Sequence, residues 1–160
     1  MITAEELREQ LDYDPETGVF TRRVSNNRAY KIGDVAGSYD ADGYRTIKIQ
    51  QRSYKAHRLA WLYVYGVWPL EQIDHINGAR DDNRIANLRE ATCSENNRNS
   101  KKYLNKRYAK GVDVNHGRFR ARIWVRGKRI HLGYYGTEEE AHAAYVAAAE
   151  KEFGAFARAE

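Results

Sequence analysis

Cysteine is almost absent from this 160-residue sequence, which contains only Cys93. A single thiol excludes an internal disulfide and any zinc site built from several cysteines, and it suits a reducing compartment. Long apolar runs are also missing. None approaches the roughly 18 residues of a membrane span, and residues 1–15 show no apolar stretch of the signal-peptide type. We therefore expect a cytoplasmic protein with no membrane partner.

Acidic side chains are scarce in the last third of the sequence. Residues 101–160 contain 13 Lys and Arg against 7 Asp and Glu, whereas residues 1–100 contain 14 against 15. The formal net charge of +5 therefore resides entirely in the C-terminal part, which favours a polyanionic partner. We predict a domain over 1–100, a basic linker over 101–109 and a second domain over 110–160.

Local signals predict a small β-rich leader followed by a buried helix. Thr3 and Glu6 form a capping-box pattern ahead of the first helix, and Gly66 is placed to end the second. The predicted elements are a helix over 4–11, a turn over 14–18, strands over 19–21, 44–49 and 53–56 with a hairpin turn at 50–52, and a helix over 57–65.

Six asparagines crowd the stretch "IDHINGARDDNRIANLREATCSENNRN", residues 73–99, around the pair Asp74–His75. Asparagine is a poor former of helices and strands, but it suits turns, caps and neutral oxygen ligation. Histidine can accept a proton near neutral pH, and an aspartate offers a hard oxygen to Mg²⁺. Phosphodiester hydrolysis needs both a base and a cation, so this pair is a candidate nuclease centre.

Turn and cap signals predict the local fold around this pair. We expect Asp74 and His75 on a strand, a turn at Asn77-Gly78, and a loop in which Asn83 or Asn87 bridges backbone groups. A strand over 87–89 would pair with 73–75. Thr92 or Ser94 would cap a helix over 94–102, with Asn96 in its first turn.

The ordered motifs DH, NG, DDNR, NLR and SENN resemble the HNH (His-Me finger) endonuclease motif in the variant that ends in asparagine. Together with "AHRLAW", they are similar to phage and intron-encoded HNH homing endonucleases. The resemblance implies a ββα-metal fold in which His75 is the general base, Asp74 and Asn96 bind Mg²⁺ (or Mn²⁺), and Asn87 orients the loop. No CxxC pairs surround the motif, so the zinc-braced form is not expected.

Three further residues are secondary candidates for this site: His57, Arg58 and Asn83. His57 and Arg58 lie at a predicted strand-to-helix junction. A histidine in such a place is either a structural group or a catalyst, and the arginine either contacts a phosphate or remains a surface charge.

The segment 117–136 alternates between apolar and polar side chains, as a half-buried strand does. A turn at Gly127-Lys128 would return the chain as a second strand, with Ile130 opposite Val125. We predict a third strand over 110–114 and a helix capped by Thr137. The apolar stripe of this helix would cover the dry face of the sheet. The other face carries Arg118, Arg120, Arg122, Trp124, Arg126, Lys128, Arg129 and His131.

The sequence "LGYYGTEEEAHAAYVAAA" and the strand pattern before it resemble the plant APETALA-two/ethylene-response-factor DNA-binding domain over about fifty residues. The resemblance implies that the polar sheet face enters the major groove of double-stranded DNA. Asp113 and Phe119 stand where that family usually has arginine and tryptophan, so the target sequence does not transfer.

The sequence as a whole predicts an α+β protein with a finger-type nuclease domain and a three-stranded antiparallel sheet packed on one helix. We expect a monomeric, metal-dependent DNA endonuclease of the phage homing type, located in the host cytoplasm if it is phage-encoded. Two alternatives remain open: a sequence-specific DNA-binding regulator with an inactive finger, and a restriction or defence nuclease.

Overall fold

The computed structural model describes residues 1–25, 30–99 and 107–157, and the side chains of residues 98 and 155 are not described. The chain divides into two compact units, Met1–Cys93 and Ser94–Glu160. The described parts combine four helices with several small antiparallel sheets, so the class is α+β. No helix within these residues has the length and apolar character needed to cross a bilayer.

The described residues of the first unit, 1–25 and 30–93, form two helices, seven strands and one 3₁₀ helix. They are α1 (Ala4–Gln10), β1 (Leu11–Asp14), β2 (Val19–Arg22), β3 (Ser38–Tyr39), β4 (Arg45–Ile49), β5 (Arg52–Lys55), α2 (Ala56–Tyr65), β6 (Gln72–His75), the 3₁₀ helix Ile85–Asn87 and β7 (Leu88–Ala91). A third helix, α3 (Cys93–Asn99), spans the boundary between the units. The sheets are the pairs β1-β2 and β6-β7 and the three strands β3-β4-β5.

The N-terminal capping box is confirmed: the Thr3 hydroxyl accepts from the Glu6 amide, and the Glu6 carboxylate accepts from the Thr3 amide. The prediction that the helix extends to Leu11 is wrong. Leu11 has an extended backbone (φ −136°) and begins β1, where it pairs with Arg22. Burial explains the change, because the strand position places the Leu11 side chain in the core of the unit.

The leader and α2 share one hydrophobic core. Its largest fully buried apolar side chains come from α1, β1, β2, β4 and α2: Leu7, Leu11, Phe20, Ile47, Leu59 and Leu62. Two long-range hydrogen bonds also join the leader to the α2 region. The Trp68 indole donates to the Ile2 carbonyl (3.0 Å), and the Arg8 guanidinium donates to the Tyr63 carbonyl (2.6 Å).

The hairpin before α2 is one residue tighter than predicted. Gln50 and Gln51 form the turn, both with positive φ (47° and 64°), and Arg52 already pairs with Ile49. The predicted helix over 57–65 is present as α2, which begins one residue earlier. It ends as expected at Gly66, whose left-handed backbone (φ 77°) closes the helix with a hydrogen bond to Leu62.

Over residues 107–157, the second unit is a three-stranded antiparallel sheet covered by one helix. Its elements are β8 (Val112–Asn115), β9 (Arg118–Val125), β10 (Lys128–Tyr135), α4 (Glu138–Phe153) and the 3₁₀ helix Gly154–Phe156, and the strand order is β10-β9-β8. Ile123 of β9 packs against Tyr145 and Ala149 of α4. The predicted capping box at the start of α4, between Thr137 and Glu140, is confirmed.

The predicted β9–β10 turn is wrong by one residue. Arg126 and Gly127 form the two-residue loop, and both have positive φ (49° and 77°), which is typical of a type I′ turn. Ile130 consequently lies opposite Ile123 and not Val125. Because the pairing shifts by two residues, the side chains from Lys128 to His131 keep the face that the alternation predicted. The register is irregular between His131 and Gly133, so the simple alternation ends there.

Candidate active site

The β6–β7 hairpin presents Asp74 and His75 at the end of a buried strand. Asp74 pairs with Arg89 and His75 with Leu88. Both candidate residues are almost fully buried, with 4 % and 5 % of their surface exposed. The predicted strand over 87–89 begins one residue late, because Asn87 closes a 3₁₀ helix and its carbonyl accepts from the Ile76 amide.

A buried ion pair orients Asp74. Oδ2 of the carboxylate accepts a hydrogen bond from Nε of Arg89 (2.8 Å), and Nη2 of the same guanidinium lies 2.7 Å from this oxygen as an ion-pair contact. A buried carboxylate is stable only when a partner compensates its charge. Both of these guanidinium contacts fall on Oδ2, so the pair fixes the orientation of the carboxylate.

The hydrogen bond between His75 and Asn83 defines the tautomer of the histidine. Nδ2 of Asn83 donates to the Asp81 carbonyl (3.1 Å), which turns Oδ1 of the same amide towards Nε2 of His75 (3.3 Å). Nε2 is therefore the protonated nitrogen of the neutral ring, and Nδ1 is the acceptor. Burial lowers the pKa of His75 below its ordinary value, although the Asn83 hydrogen bond and Asp74 oppose the shift. The ring is thus neutral at pH 7.

Asn87 closes the loop between the two strands. Its Oδ1 accepts from the Asn77 amide (3.0 Å), and its Nδ2 donates to Oδ1 of Asn77 (3.0 Å) and to the Asp82 carbonyl (2.8 Å). Asp82 is held in turn by Arg84, which lowers the pKa of this carboxyl to about 2. The loop therefore contains the predicted hydrogen bonds between asparagine side chains and backbone groups.

The leader supports this loop from outside the asparagine-rich segment. The Tyr13 hydroxyl donates to the Asn83 carbonyl (2.7 Å), and the Ile85 amide donates to the Pro15 carbonyl (3.3 Å). Gly18 (φ +72°) lies so close that a Cβ there would be 2.5 Å from the Arg84 nitrogen. The β1–β2 turn is therefore a direct support for the residue that orients His75.

His57 and Tyr44 enclose the His75 ring. The two imidazoles meet edge to face with centroids 5.0 Å apart, and the Tyr44 ring lies 5.3 Å from His57 and 6.0 Å from His75. Nδ1 of His57 has no hydrogen-bond partner among the described residues. Burial, and then the proximity of His75, lowers the pKa of His57 to about 3. His57 is therefore uncharged at physiological pH, and its ring packs against His75.

Two arginines near these elements have different environments. Arg58 donates to the Glu71 (3.1 Å) and Pro69 (3.3 Å) carbonyls, so it holds the segment before β6. Arg80 is exposed and lies over the Tyr44 ring at 5.1 Å, with the Asp42 carbonyl as hydrogen-bond acceptor. Arg80 thus places a positive charge on Tyr44, the ring that contacts His75. No motif in the sequence indicated this residue.

Asn96, the second predicted metal ligand, is half-buried in α3. The helix begins at Cys93, one residue before the prediction, and its predicted end at residue 102 lies outside the described residues. Within residues 1–25, 30–99 and 107–157, no three His, Cys, Asp or Glu side chains cluster in a way that would hold a metal. The two predicted metal ligands, Asp74 and Asn96, stay a prediction.

Comparison with known families bears on this segment. Residues 54–98 match the HNH endonuclease family model. The HNH segment begins in β5, contains α2 and the β6–β7 hairpin, and ends in α3. The match supports a nuclease function with DNA as the substrate. No curated protein and no solved structure matches the chain, and the family model ends before β8, so the likeness of the second unit to the APETALA-two family rests on its sequence pattern.

The polar face of β8–β10 has a mixed character. Asp113 binds two of the predicted DNA-contacting arginines: Oδ1 and Oδ2 accept from Nε (2.9 Å) and Nη2 (3.2 Å) of Arg120, and Oδ2 also pairs with Nη2 of Arg122. Arg129 stacks over Trp124 at 5.0 Å, and Trp124 is 58 % exposed. The remaining predicted members, Arg118, Arg126, Lys128 and His131, are exposed.

Proposed function

We propose that the chain is a metal-dependent DNA endonuclease in which His75 is the general base. The observation that supports it is the buried His75, held neutral with Nε2 bonded to Asn83, on the same strand as Asp74. A neutral imidazole can remove a proton from water, and the orientation of Asn83 assigns that proton to Nδ1. The match of residues 54–98 to the HNH endonuclease family supports the same chemistry.

The proposed metal ligands are Asp74 and Asn96. A carboxylate and an amide supply hard oxygen donors, which suits Mg²⁺ or Mn²⁺ and not a thiolate-binding metal. Arg89 would orient the carboxylate, and Asn87 would keep the loop in place around His75. When bound, the ion would stabilise the charge that grows on the leaving oxygen. Arg80 would add positive charge next to Tyr44.

We predict that the full chain cleaves plasmid DNA with Mg²⁺ and loses all cleavage in EDTA, since a multidentate chelator withdraws an ion that only two proposed protein ligands hold. Asp74→Ala and Asn96→Ala should both lose activity. Excess Mg²⁺ or Mn²⁺ should partly restore Asn96→Ala, which removes a neutral ligand and no charge. The measurement is conversion of supercoiled plasmid to nicked and linear forms, with melting curves of each variant. Cleavage at the wild-type rate in EDTA would refute the proposal.

Within this activity we propose a homing endonuclease. The basis is the resemblance of the ordered DH, NG, DDNR, NLR and SENN motifs to that group. Mapping cut sites in the genomic neighbourhood of the coding sequence separates the possibilities, because a homing enzyme cuts at a few long sites there. A restriction or defence nuclease would cut foreign DNA instead, and a regulator with an inactive finger would bind without cutting.

We propose further that the polar face of β8–β10 binds double-stranded DNA. Four of its cations have no carboxylate partner within residues 107–157: Arg118, Arg126, Lys128 and Arg129. Trp124 adds an exposed aromatic side chain, and a two-stranded ribbon such as β9–β10 fits the major groove. Arg120 and Arg122 share Asp113, so these three side chains together contribute one net positive charge.

We expect log K for duplex binding to fall with log salt concentration at a slope of about −4.5. The four unpaired cations and the single net charge around Asp113 would neutralise about five phosphates, each contributing about −0.9. Replacing both Trp124 and Arg129 with Ala should weaken binding more than Lys151→Ala, in the last turn of α4. The measurement is fluorescence anisotropy in a salt titration. Equal affinity of the two variants would exclude the sheet as the DNA-binding surface.

A further inference from the structure

One row of polar side chains crosses the whole sheet of the second unit. Asp113 on β8 is the direct partner of Arg120 on β9, and Arg120 is in turn the partner of Tyr134 on β10. Paired residues of antiparallel strands project from the same face, so all three belong to the polar surface. The Tyr134 hydroxyl also accepts from the Asn115 amide at 2.9 Å. The row is thus tied together from edge to edge.

The Asp113 carboxylate restricts two guanidinium groups at once. Arg120 meets it in a two-point contact, and Arg122 reaches the second oxygen. Bidentate pairing of this kind fixes the plane of a guanidinium as well as its position. Arg120 and Arg122 are half-buried, while Trp124, Arg126 and Arg129 further along the sheet are exposed. The two clamped arginines are therefore the rigid part of the surface.

A carboxylate in this position also acts on an approaching backbone. It repels phosphate, and it reduces the net charge of the three side chains from +2 to +1. Guanidinium groups retain further N–H donors after a two-point contact, since arginine has five. Those donors can still reach acceptors on a base edge, but the clamped groups cannot swing freely to a phosphate.

We propose that Asp113 is a specificity-determining residue of the DNA-binding face. It reduces sequence-independent attraction to phosphate, and it holds Arg120 and Arg122 in the geometry that reads base edges. The inference rests on the proposed binding of double-stranded DNA by this sheet. It goes further because it assigns the discrimination between DNA sequences to an acidic residue. The APETALA-two family usually has arginine at this position.

Asp113→Asn tests the inference, because it keeps the size of the side chain and removes its charge. A duplex selected from a random pool by the wild-type chain provides the preferred site, and an unrelated duplex of equal length provides the reference. We expect the variant to bind the unrelated duplex about tenfold more tightly at 0.1 M salt, with a slope steeper by about one. We also expect the ratio of affinities between the two duplexes to fall by at least about tenfold.

Two further variants complete the experiment. Glu152→Gln removes an equal charge from an exposed position of α4, on the helix that covers the other face, and should change neither the ratio nor the slope by a comparable amount. Arg120→Gln keeps Asp113 and should also lower the affinity ratio, which provides a second readout if Asp113→Asn unfolds. Melting curves identify that case.

The outcomes separate the two levels of the argument. If the wild-type chain shows no salt-dependent duplex binding, the proposed function of the sheet fails and this inference falls with it. If the wild-type chain binds with a preferred site while Asp113→Asn keeps the same slope and the same ratio, the sheet is a DNA-binding surface and only the assignment to Asp113 is overturned. A steeper slope with a lower ratio supports it.

Discussion

Replacement of His75 with Ala is expected to lower the cleavage rate by about 10² to 10⁴-fold, the usual contribution of a general base. Affinity for duplex DNA should stay within about twofold of wild type, because the exposed cations that would neutralise phosphates lie in β9, β10 and the turn between them. The loss should therefore fall on the rate at saturating DNA and not on binding. Single-turnover cleavage and anisotropy measure the two quantities separately.

A histidine elsewhere in the chain provides the control for this variant. His116 lies in the exposed β8–β9 turn with a left-handed backbone (φ 50°), which asparagine tolerates well. His116→Asn should cleave at the wild-type rate. Because His75 is buried, His75→Gln is the second variant, since it leaves a smaller cavity than alanine. Undiminished cleavage by either His75 variant, in a folded protein, would remove this residue from the mechanism.

Gly18→Ala should lower the free energy of unfolding of the first unit by about 3 kcal/mol, combining strain of a left-handed backbone with overpacking. A Cβ on Gly18 would be 2.5 Å from both the Asn83 carbonyl carbon and the Arg84 nitrogen. Backbone atoms cannot turn aside as a flexible side chain can. The loop that orients His75 would have to move, so cleavage should fall as well. Chemical denaturation and the plasmid assay measure the two effects.

Gly43→Ala separates backbone strain from overpacking as causes of the destabilisation by Gly18→Ala. Gly43 has a similar backbone (φ +82°), but an added Cβ there meets nothing within 4 Å. This variant should cost only about 1 kcal/mol, the strain of the left-handed conformation. It should retain most of the cleavage activity. Equal effects of the two substitutions would show that the contact between the leader and the loop has no importance for the site.

Local rules predicted the helix starts and the exposed faces well. The two capping boxes, at Thr3 and Thr137, were both found where the spacing of threonine and glutamate indicated them. Alternation assigned the faces of β9 correctly even though the turn residues were misplaced. These features depend on neighbours within about four residues, which is the range that a sequence pattern contains.

Contacts between distant segments could not be predicted in the same way. The sequence suggested Asp74 as a ligand, but its pairing with Arg89 depends on the β6–β7 register. Leu11 looked helical because its local neighbours are, and the core placed it in a strand. Tyr44 was assigned only to an alternating strand, and it proved to be a ring partner of both histidines.

The support of the loop by the leader also sets an order of events during synthesis. Tyr13 and Asn83, which share a hydrogen bond, are 70 residues apart in the chain, and Ile2 and Trp68 are 66 apart. The leader therefore leaves the ribosome long before the segments that cover it, and bringing such distant segments together slows folding. The loop that orients His75 gains its support only after nearly all of the first unit has been translated. A chain that ends before Asn83 therefore lacks this support.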